Sequence, residues 1–292
     1  MASVDVALPT TDSFISGKPV PLGAARRCII TAVIVVLFIA LVARILLSNA
    51  FTWPVVWQYF FHPAILDGLV MTLWLTALSM LIGTTGGAAL AVMAIARFSA
   101  IKAASVLYVW VFRGTPLLVQ LIFWFNIALV FPAIGFGGWM VPTNSIITPF
   151  AAALLGLGLN EAAYMAEIIR AGIASVDEGQ SEAAYSVGMS RGQTLRYVVF
   201  PQAMQVIIPP TANQTIGMLK NTSLVSVIGA QELLTKTQDI YARNFQVIEL
   251  LTVASIWYLV MTTLASGVQY WLERKLGAWS ARSAKIKMET PA

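Results

Sequence analysis

The strongest constraint in this sequence is a succession of long apolar runs separated by short polar intervals. They cover roughly residues 28–47, 66–96, 116–130, 149–169, 208–228 and 247–271. Crossing the ~30 Å hydrocarbon core of a bilayer takes ~20 helical residues. Inside that core every backbone polar group needs a partner within the protein, which restricts such runs to helices. Composition agrees, with 58% hydrophobic residues, 11% charged residues and a mean hydropathy of +0.79 over 292 residues. The sequence therefore predicts an all-α membrane protein with six transmembrane helices.

Residues 1–27 carry turn formers and little periodicity, and read as a disordered tail. Arg26 and Arg27 precede the first run, which is too long for a cleaved signal peptide and is expected to be an uncleaved anchor, with Arg44 snorkelling at its far end. Trp53, Trp57 and Tyr59 suit a membrane interface. Gly83 and Gly87 in the second run are spaced for close helix packing. Residues 98–112 are expected to form an amphipathic elbow. Thr115 is expected to cap a helix that opens on Pro116. Residues 131–148 are expected to be a charge-free loop, and 231–244 a short helix over a pore mouth. Cys28 is the only cysteine and His62 the only histidine, so neither a disulfide within the chain nor a metal centre is expected.

The charges orient the chain. With a cytoplasmic N-terminus, the inner segments hold Lys18, Arg26, Arg27, Arg97, Lys102, Arg113, Arg170, Arg191 and Arg196, and Arg274, Lys275, Arg282, Lys285 and Lys287 of the basic tail 272–292. The outer segments hold Lys236 and Arg243. This obeys the positive-inside rule and puts both termini in the cytoplasm. It also accounts for the tail cations without a nucleic-acid partner.

The polar interval 175–201 then lies inside. Ser175 with Glu178 has the spacing of a capping box, and Asp177 adds charge to the first turn. Gly188 is placed to end that helix in the left-handed conformation. Ser190 with Gln193 starts a second helix, which Pro201 is expected to stop or kink. A short helix, a glycine elbow and another short helix make a docking surface. Glu182, Ala183, Ala184, Gly188 and Pro201 resemble the EAA loop of permease subunits in binding-protein-dependent ABC importers. A second Glu-Ala-Ala, at Glu161, lies inside an apolar run and has Glu167 where the glycine belongs. The stretches Leu66-Asp67-Gly68, Phe112 to Gln120 and Leu219 to Val227 are similar to the polar amino-acid (histidine/glutamine-type) branch of that family.

The resemblance covers 66–271. It implies a five-helix permease core, to which 28–47 is an additional helix, in the bacterial cytoplasmic (inner) membrane. It also implies a second copy or paralogue completing the pore, ATPase subunits gripping the cytoplasmic loops, an extracytoplasmic solute-binding protein, and a polar amino acid as cargo. No phosphate-binding loop occurs in the chain, so ATP is expected on the partner subunit, and no catalytic constellation is visible.

Glu161 and Lys220 are the ionisable residues set deepest in the runs, about 18 Å beyond Pro149 and about 14 Å before Gly229. Burial of such a group costs ~2.5–3.5 kcal/mol on insertion scales. They either pair with each other to fix helix packing or line a substrate path with Asn213, Asn221 and Thr222. The alternative function is an ion-gradient-driven secondary transporter working through Glu161 and Lys220. It would leave the capped 175–201 interval without a purpose.

Overall fold

The computed structural model describes residues 24–46, 51–96, 98–136 and 138–289. Most of the expected tail 1–27, together with Arg97, lies outside them. The chain divides into Met1–Thr52 and Trp53–Ala292. In the first unit, α1 (Ala24–Leu46) occupies the place of the first apolar run, with Ile29–Ala40 as its apolar stretch.

The second unit begins with α2 (Trp53–Phe60), α3 (Pro63–Ala94), α4 (Ser99–Gly114) and α5 (Leu117–Phe125). A hairpin of β1 (Ala133–Phe136) and β2 (Trp139–Pro142) and the short α6 (Thr143–Ile146) lead to α7 (Pro149–Ala174). Then follow α8 (Glu178–Ser186), α9 (Arg191–Thr194), α10 (Phe200–Asn221), α11 (Leu233–Asn244) and α12 (Val247–Glu289). Among the described residues, α3, α7 and Val247–Lys275 of α12 are long and apolar enough to cross a membrane. The pair α4 and α5 makes a fourth span if it is taken as one. α10 has the length but carries Gln202, Gln205, Asn213, Gln214 and Lys220.

Three expectations change. The run 116–130 is not one helix, because α5 has nine residues and rises only about 14 Å before a single 3-10 turn, Ile127–Leu129. The expected elbow is the other arm of the same feature: α4 has 16 residues and meets α5 at a bend of 102°. The charge-free loop holds the antiparallel hairpin, paired from Ala133 with Pro142 to Phe136 with Trp139. In the tail, α12 continues as a helix to Glu289.

The centre of the second unit is the contact between α3 and α7, the most extensive between any two elements. A Cβ on Gly83 would lie 2.5 Å from Glu161 Cγ, and one on Gly87 2.5 Å from Met165 Cβ and 2.8 Å from Ala166 N. The expected small-residue face is therefore the seam, and it admits the α7 backbone itself. α4 lies across both helices, its Ser105 hydroxyl donating to Leu90 O (2.8 Å) and its Tyr108 hydroxyl to Leu159 O (2.9 Å). Leu75, Leu121, Leu157, Met165, Met218 and Val225 fill the core around this seam.

At the other end, a fully buried carboxylate joins three helices. Glu232 caps α11 by accepting from Thr235 N (2.8 Å), and it also accepts from the Tyr258 hydroxyl of α12 (2.6 Å). The α11 backbone reaches α3 through Leu233 N, which donates to Thr72 Oγ1 (3.2 Å). Burial pushes the Glu232 carboxyl above its ordinary range, and the Tyr258 hydrogen bond pulls it part of the way back. His62 caps α3, accepting from Ala64 N at 3.2 Å. Trp257 stacks on Phe60 at 4.8 Å and donates to its carbonyl, which fastens α2 to α12.

Overpacking a tight core costs about 1–3 kcal/mol. At Gly83 an added methyl meets the Glu161 side chain at 2.5 and 2.7 Å with the nearest backbone atom at 3.3 Å, whereas at Gly87 two backbone atoms of α7 lie within 2.9 Å. We expect Gly87→Ala to lower the thermal midpoint of the purified protein more than Gly83→Ala. Equal midpoints for both variants and the parent would remove this seam as the packing centre.

Candidate functional site

Two features stand out, an exposed polar segment at one end of the bundle and a polar cavity within it. In the segment, Ser175 does not form the expected capping box. It is the last residue of the α7 turn, and its hydroxyl donates back to Gly172 O (2.7 Å). Asp177 is the cap instead, accepting from Gly179 N at 2.8 Å. Asp177 sits where the backbone turns extended (φ −55, ψ 130), whereas Ser175 is still helical (φ −78, ψ −13), and that decides between the two caps.

Gly188 ends α8 at φ +85, as expected. Met189 N donates to Ala184 O (3.1 Å) and Gly188 N to Tyr185 O (2.9 Å), closing the orphan carbonyls of the helix end. The capping box at Ser190 and Gln193 forms in both directions. Pro201 does not stop the chain. α9 runs through a single π turn, Leu195–Val199, into α10, and Pro201, which has no N–H to donate, directly follows that irregular turn. Glu182, Ala183, Tyr185 and Val187 face outward, while Ala184 packs inward. By contrast Glu161, Ala162 and Ala163 are all buried within α7.

The cavity, about 430 Å³, forms where α4 breaks into α5. Pro116 has no N–H, so the carbonyl of Phe112 loses its helical partner, and Thr115 before it is extended at φ −115 and ψ 144. Two buried amides take over the freed carbonyls. Gln120 Nε2 donates to Phe112 O (2.9 Å) and to Thr115 Oγ1 (2.7 Å), and Asn160 Nδ2 of α7 donates to Phe112 O (2.9 Å) and to Gln120 Oε1 (3.2 Å). Thr115 thus serves the Gln120 amide and is not the N-cap of α5, which is Pro116.

Arg113, Asn160, Glu161, Tyr164, Gln214 and Asn221 give the cavity its polar lining. Glu161 is 4% exposed and accepts one hydrogen bond, from Gln214 Nε2 at 3.3 Å. It does not pair with Lys220. Among the described residues the ion pairs are Arg170–Glu167 at 2.8 Å, the expected i,i+3 pair, and Arg113–Glu167 at 3.8 Å. The Arg113 guanidinium also lies 5.3 Å from the centre of the Tyr164 ring. The cavity therefore offers one buried carboxylate, one loosely compensated guanidinium and several amides.

Of the residues expected on a path, Glu161 and Asn221 line the cavity, while Asn213 and Lys220 are exposed away from it. Thr222 is buried, its hydroxyl donating to Leu219 O (2.7 Å). The face of α10 that meets the cavity carries Gln214 and Asn221, displaced by one residue, or about 100°, from the one through Asn213 and Lys220. The spacing of Arg113 marks it only as an inner-segment cation and does not place it in a cavity with Glu161.

Residues 83–278 match the family described as the binding-protein-dependent transport system inner membrane component. The chain belongs to this family. Among relatives of these transport-system permeases, the arginine transport system permease protein of Corynebacterium glutamicum is 41% identical over 91% of this chain and 86% of its own length. The L-cystine transport system permease protein of Bacillus subtilis is 38% identical, covering 81% of this chain and 96% of its own length. The glutamine transport system permease protein of Escherichia coli K12 is 35% identical over 77% and 98%. A crystal structure of an amino acid ABC transporter with histidines shares 39% identity at a TM-score of 0.65, over 74% of this chain and 95% of that one. A methionine ABC transporter in an inward-facing conformation shares 17% identity at a TM-score of 0.62 over 77% and 99%, a likeness of fold.

A side chain at the positive φ of Gly188 costs about 1–2 kcal/mol, although an added methyl there meets nothing within 4 Å. Gly192 is equally open but needs no positive φ. We expect Gly188→Ala to speed amide exchange and proteolysis across α8 and α9 with an unchanged thermal midpoint, and Gly192→Ala to change neither. Unaltered exchange in Gly188→Ala would mean that the elbow does not hold the segment.

Proposed function

We propose that this chain is the membrane-spanning permease of an ATP-driven importer for polar amino acids. Its cargo passes through the cavity lined by Glu161 and Arg113, and Glu182, Ala183, Ala184, Gly188 and Pro201 couple it to an ATPase on another subunit. One observation carries the reading. α9, the π turn and α10 form a continuous helical run from Arg191 to Asn221, so the exposed segment is joined to the helix that gives Gln214 and Asn221 to the cavity. A push on the segment would be transmitted along that run.

Family membership and the arginine, cystine and glutamine permease relatives support the importer and its class of cargo. In this reading six helices cross the inner membrane, α1 being additional to a five-helix core. Both termini are cytoplasmic, a second copy or paralogue completes the pore, and a solute-binding protein delivers cargo outside. ATP is bound and hydrolysed by the partner subunits. Glu161 takes the ammonium or a cationic side chain of the amino acid, Arg113 its carboxylate, and the amides fix its orientation. An ion-gradient mechanism through Glu161 and Lys220 is disfavoured, because the two do not meet and Lys220 lies outside the cavity.

Hydrogen bonds to charged groups are worth about 1.5–3 kcal/mol, or roughly 10- to 100-fold in affinity. In proteoliposomes with the ATPase and binding protein, Glu161→Gln should therefore lower uptake of basic amino acids by about that factor, and of neutral ones by less. Parental uptake of both classes in Glu161→Gln and Arg113→Gln would rule the cavity out as the path. At the other end, Glu182→Lys should weaken ATPase binding by ~2–5 kcal/mol, the cost of leaving a charged interface partner unpaired. An unchanged dissociation constant in a pull-down titration would mean that Glu182 faces water.

A further inference from the structure

A second cavity, about 720 Å³, opens along α4 where it crosses α3 and α7. Its end is formed by Ala94, Ile95, Ile173 and Ala174, the last turns of α3 and α7, next to the Asp177 cap of the docking segment. Lys102, Arg113 and Arg170 border it, against one carboxylate, Glu167. Glu167 is held chiefly by Arg170 at 2.8 Å and more loosely by Arg113 at 3.8 Å, and Lys102 has no ion pair among the described residues. The set of four side chains therefore carries an uncompensated charge of about two positive units. Between the cations the wall is apolar, with Val106, Val109 and Trp110, and Trp110 is 71% exposed.

A groove with a basic rim and an apolar wall is matched by an amphiphile with an anionic head. Arg113 lies where the groove meets the smaller cavity and lines both, but the rest of the groove is outside the transport path, because an amino acid has no long apolar part to lie on Val106 and Trp110. It also lies at the end of the bundle where the docking segment emerges. In the orientation proposed above that end faces the cytoplasmic leaflet, where negative lipid concentrates and each nearby Lys or Arg adds about 1 kcal/mol of attraction in general. We propose that this groove is a binding site for an anionic phospholipid. Its phosphate lies between Lys102 and Arg170, and an acyl chain lies along Val106, Val109 and Trp110. The orientation rests on the importer reading; the binding does not.

The test is a lipid titration of the purified full-length protein in neutral detergent, followed by native mass spectrometry with phosphatidylglycerol and phosphatidylcholine. Phosphatidylglycerol should be retained in preference. Lys102→Gln should weaken its retention about fivefold and leave phosphatidylcholine unchanged, Lys102→Arg should restore it, and Trp110→Ala should weaken both lipids. Equal retention of the two lipids, or indifference to Lys102→Gln, would overturn the site. Displacement by millimolar inorganic phosphate would also overturn it, showing a plain anion site. A change in the monomer–dimer ratio with Lys102→Gln and no change in bound lipid would overturn it too, assigning the groove to a second copy. Because the titration reads neither transport nor orientation, its failure is separable from failure of the importer reading.

Discussion

The structure depends on how closely α3 and α7 approach. In a bilayer the hydrophobic effect does not press helices together, so van der Waals contact and buried hydrogen bonds must do it, and both improve when small residues let backbones meet. Gly83 and Gly87 provide that approach. At Gly83 the space a side chain would fill is taken by the Glu161 stem. The same glycine that makes the seam therefore makes room for the cavity carboxylate. The seam and the placement of the Glu161 side chain thus depend on the same small space.

A second constraint follows from the low dielectric of the medium. Breaking a helix in a dry environment strands carbonyl oxygens, and each must find another donor. Pro116 breaks the run at a point where the amides of Gln120 and Asn160 supply those donors. The bend then turns Arg113 toward Tyr164 and the cavity. A proline that would be a defect elsewhere here brings a cation opposite a carboxylate without their forming a salt bridge. A neutralised pair would have little left for a zwitterion. Here Arg113 is only loosely paired, with Glu167 at 3.8 Å, and Glu161 accepts only from Gln214, so both groups keep a capacity to bind one.

The exposed segment 175–201 follows a different logic. Its helices are short and are held by local caps: Asp177, the Gly188 elbow, and the reciprocal pair of Ser190 and Gln193. Such a unit is fixed in shape by its own caps and joins α7 through the turn at 175–177. The π turn at Leu195–Val199 keeps the helical path unbroken into α10, so in the proposed importer a displacement of the segment would tilt or rotate α10. Gln214 and Asn221, set on one face two turns apart, would move with it.

The sequence by itself determined the parts governed by local chemistry. The small-residue face at Gly83 and Gly87, the elbow at Gly188, the box at Ser190 and Gln193, and the i,i+3 pair of Glu167 and Arg170 all rest on spacings of a few residues, and all are present. Where two local solutions competed, spacing was not enough. Ser175 lost the cap to Asp177, and the Thr115 hydroxyl donates to Val111 O and accepts from Gln120 in place of capping α5. Whatever depended on rotation about a helix axis or on contacts between distant residues was decided by the tertiary structure. Whether α10 presents Asn213 and Lys220 or Gln214 and Asn221 to the cavity is a matter of 100°, and its many polar residues fit either phase. Glu161 and Lys220 have matching depths, but depth is one coordinate of three. Arg113, distant in sequence from Glu161, became its counterpart because the break at Pro116 folds α5 away from α4 against α7.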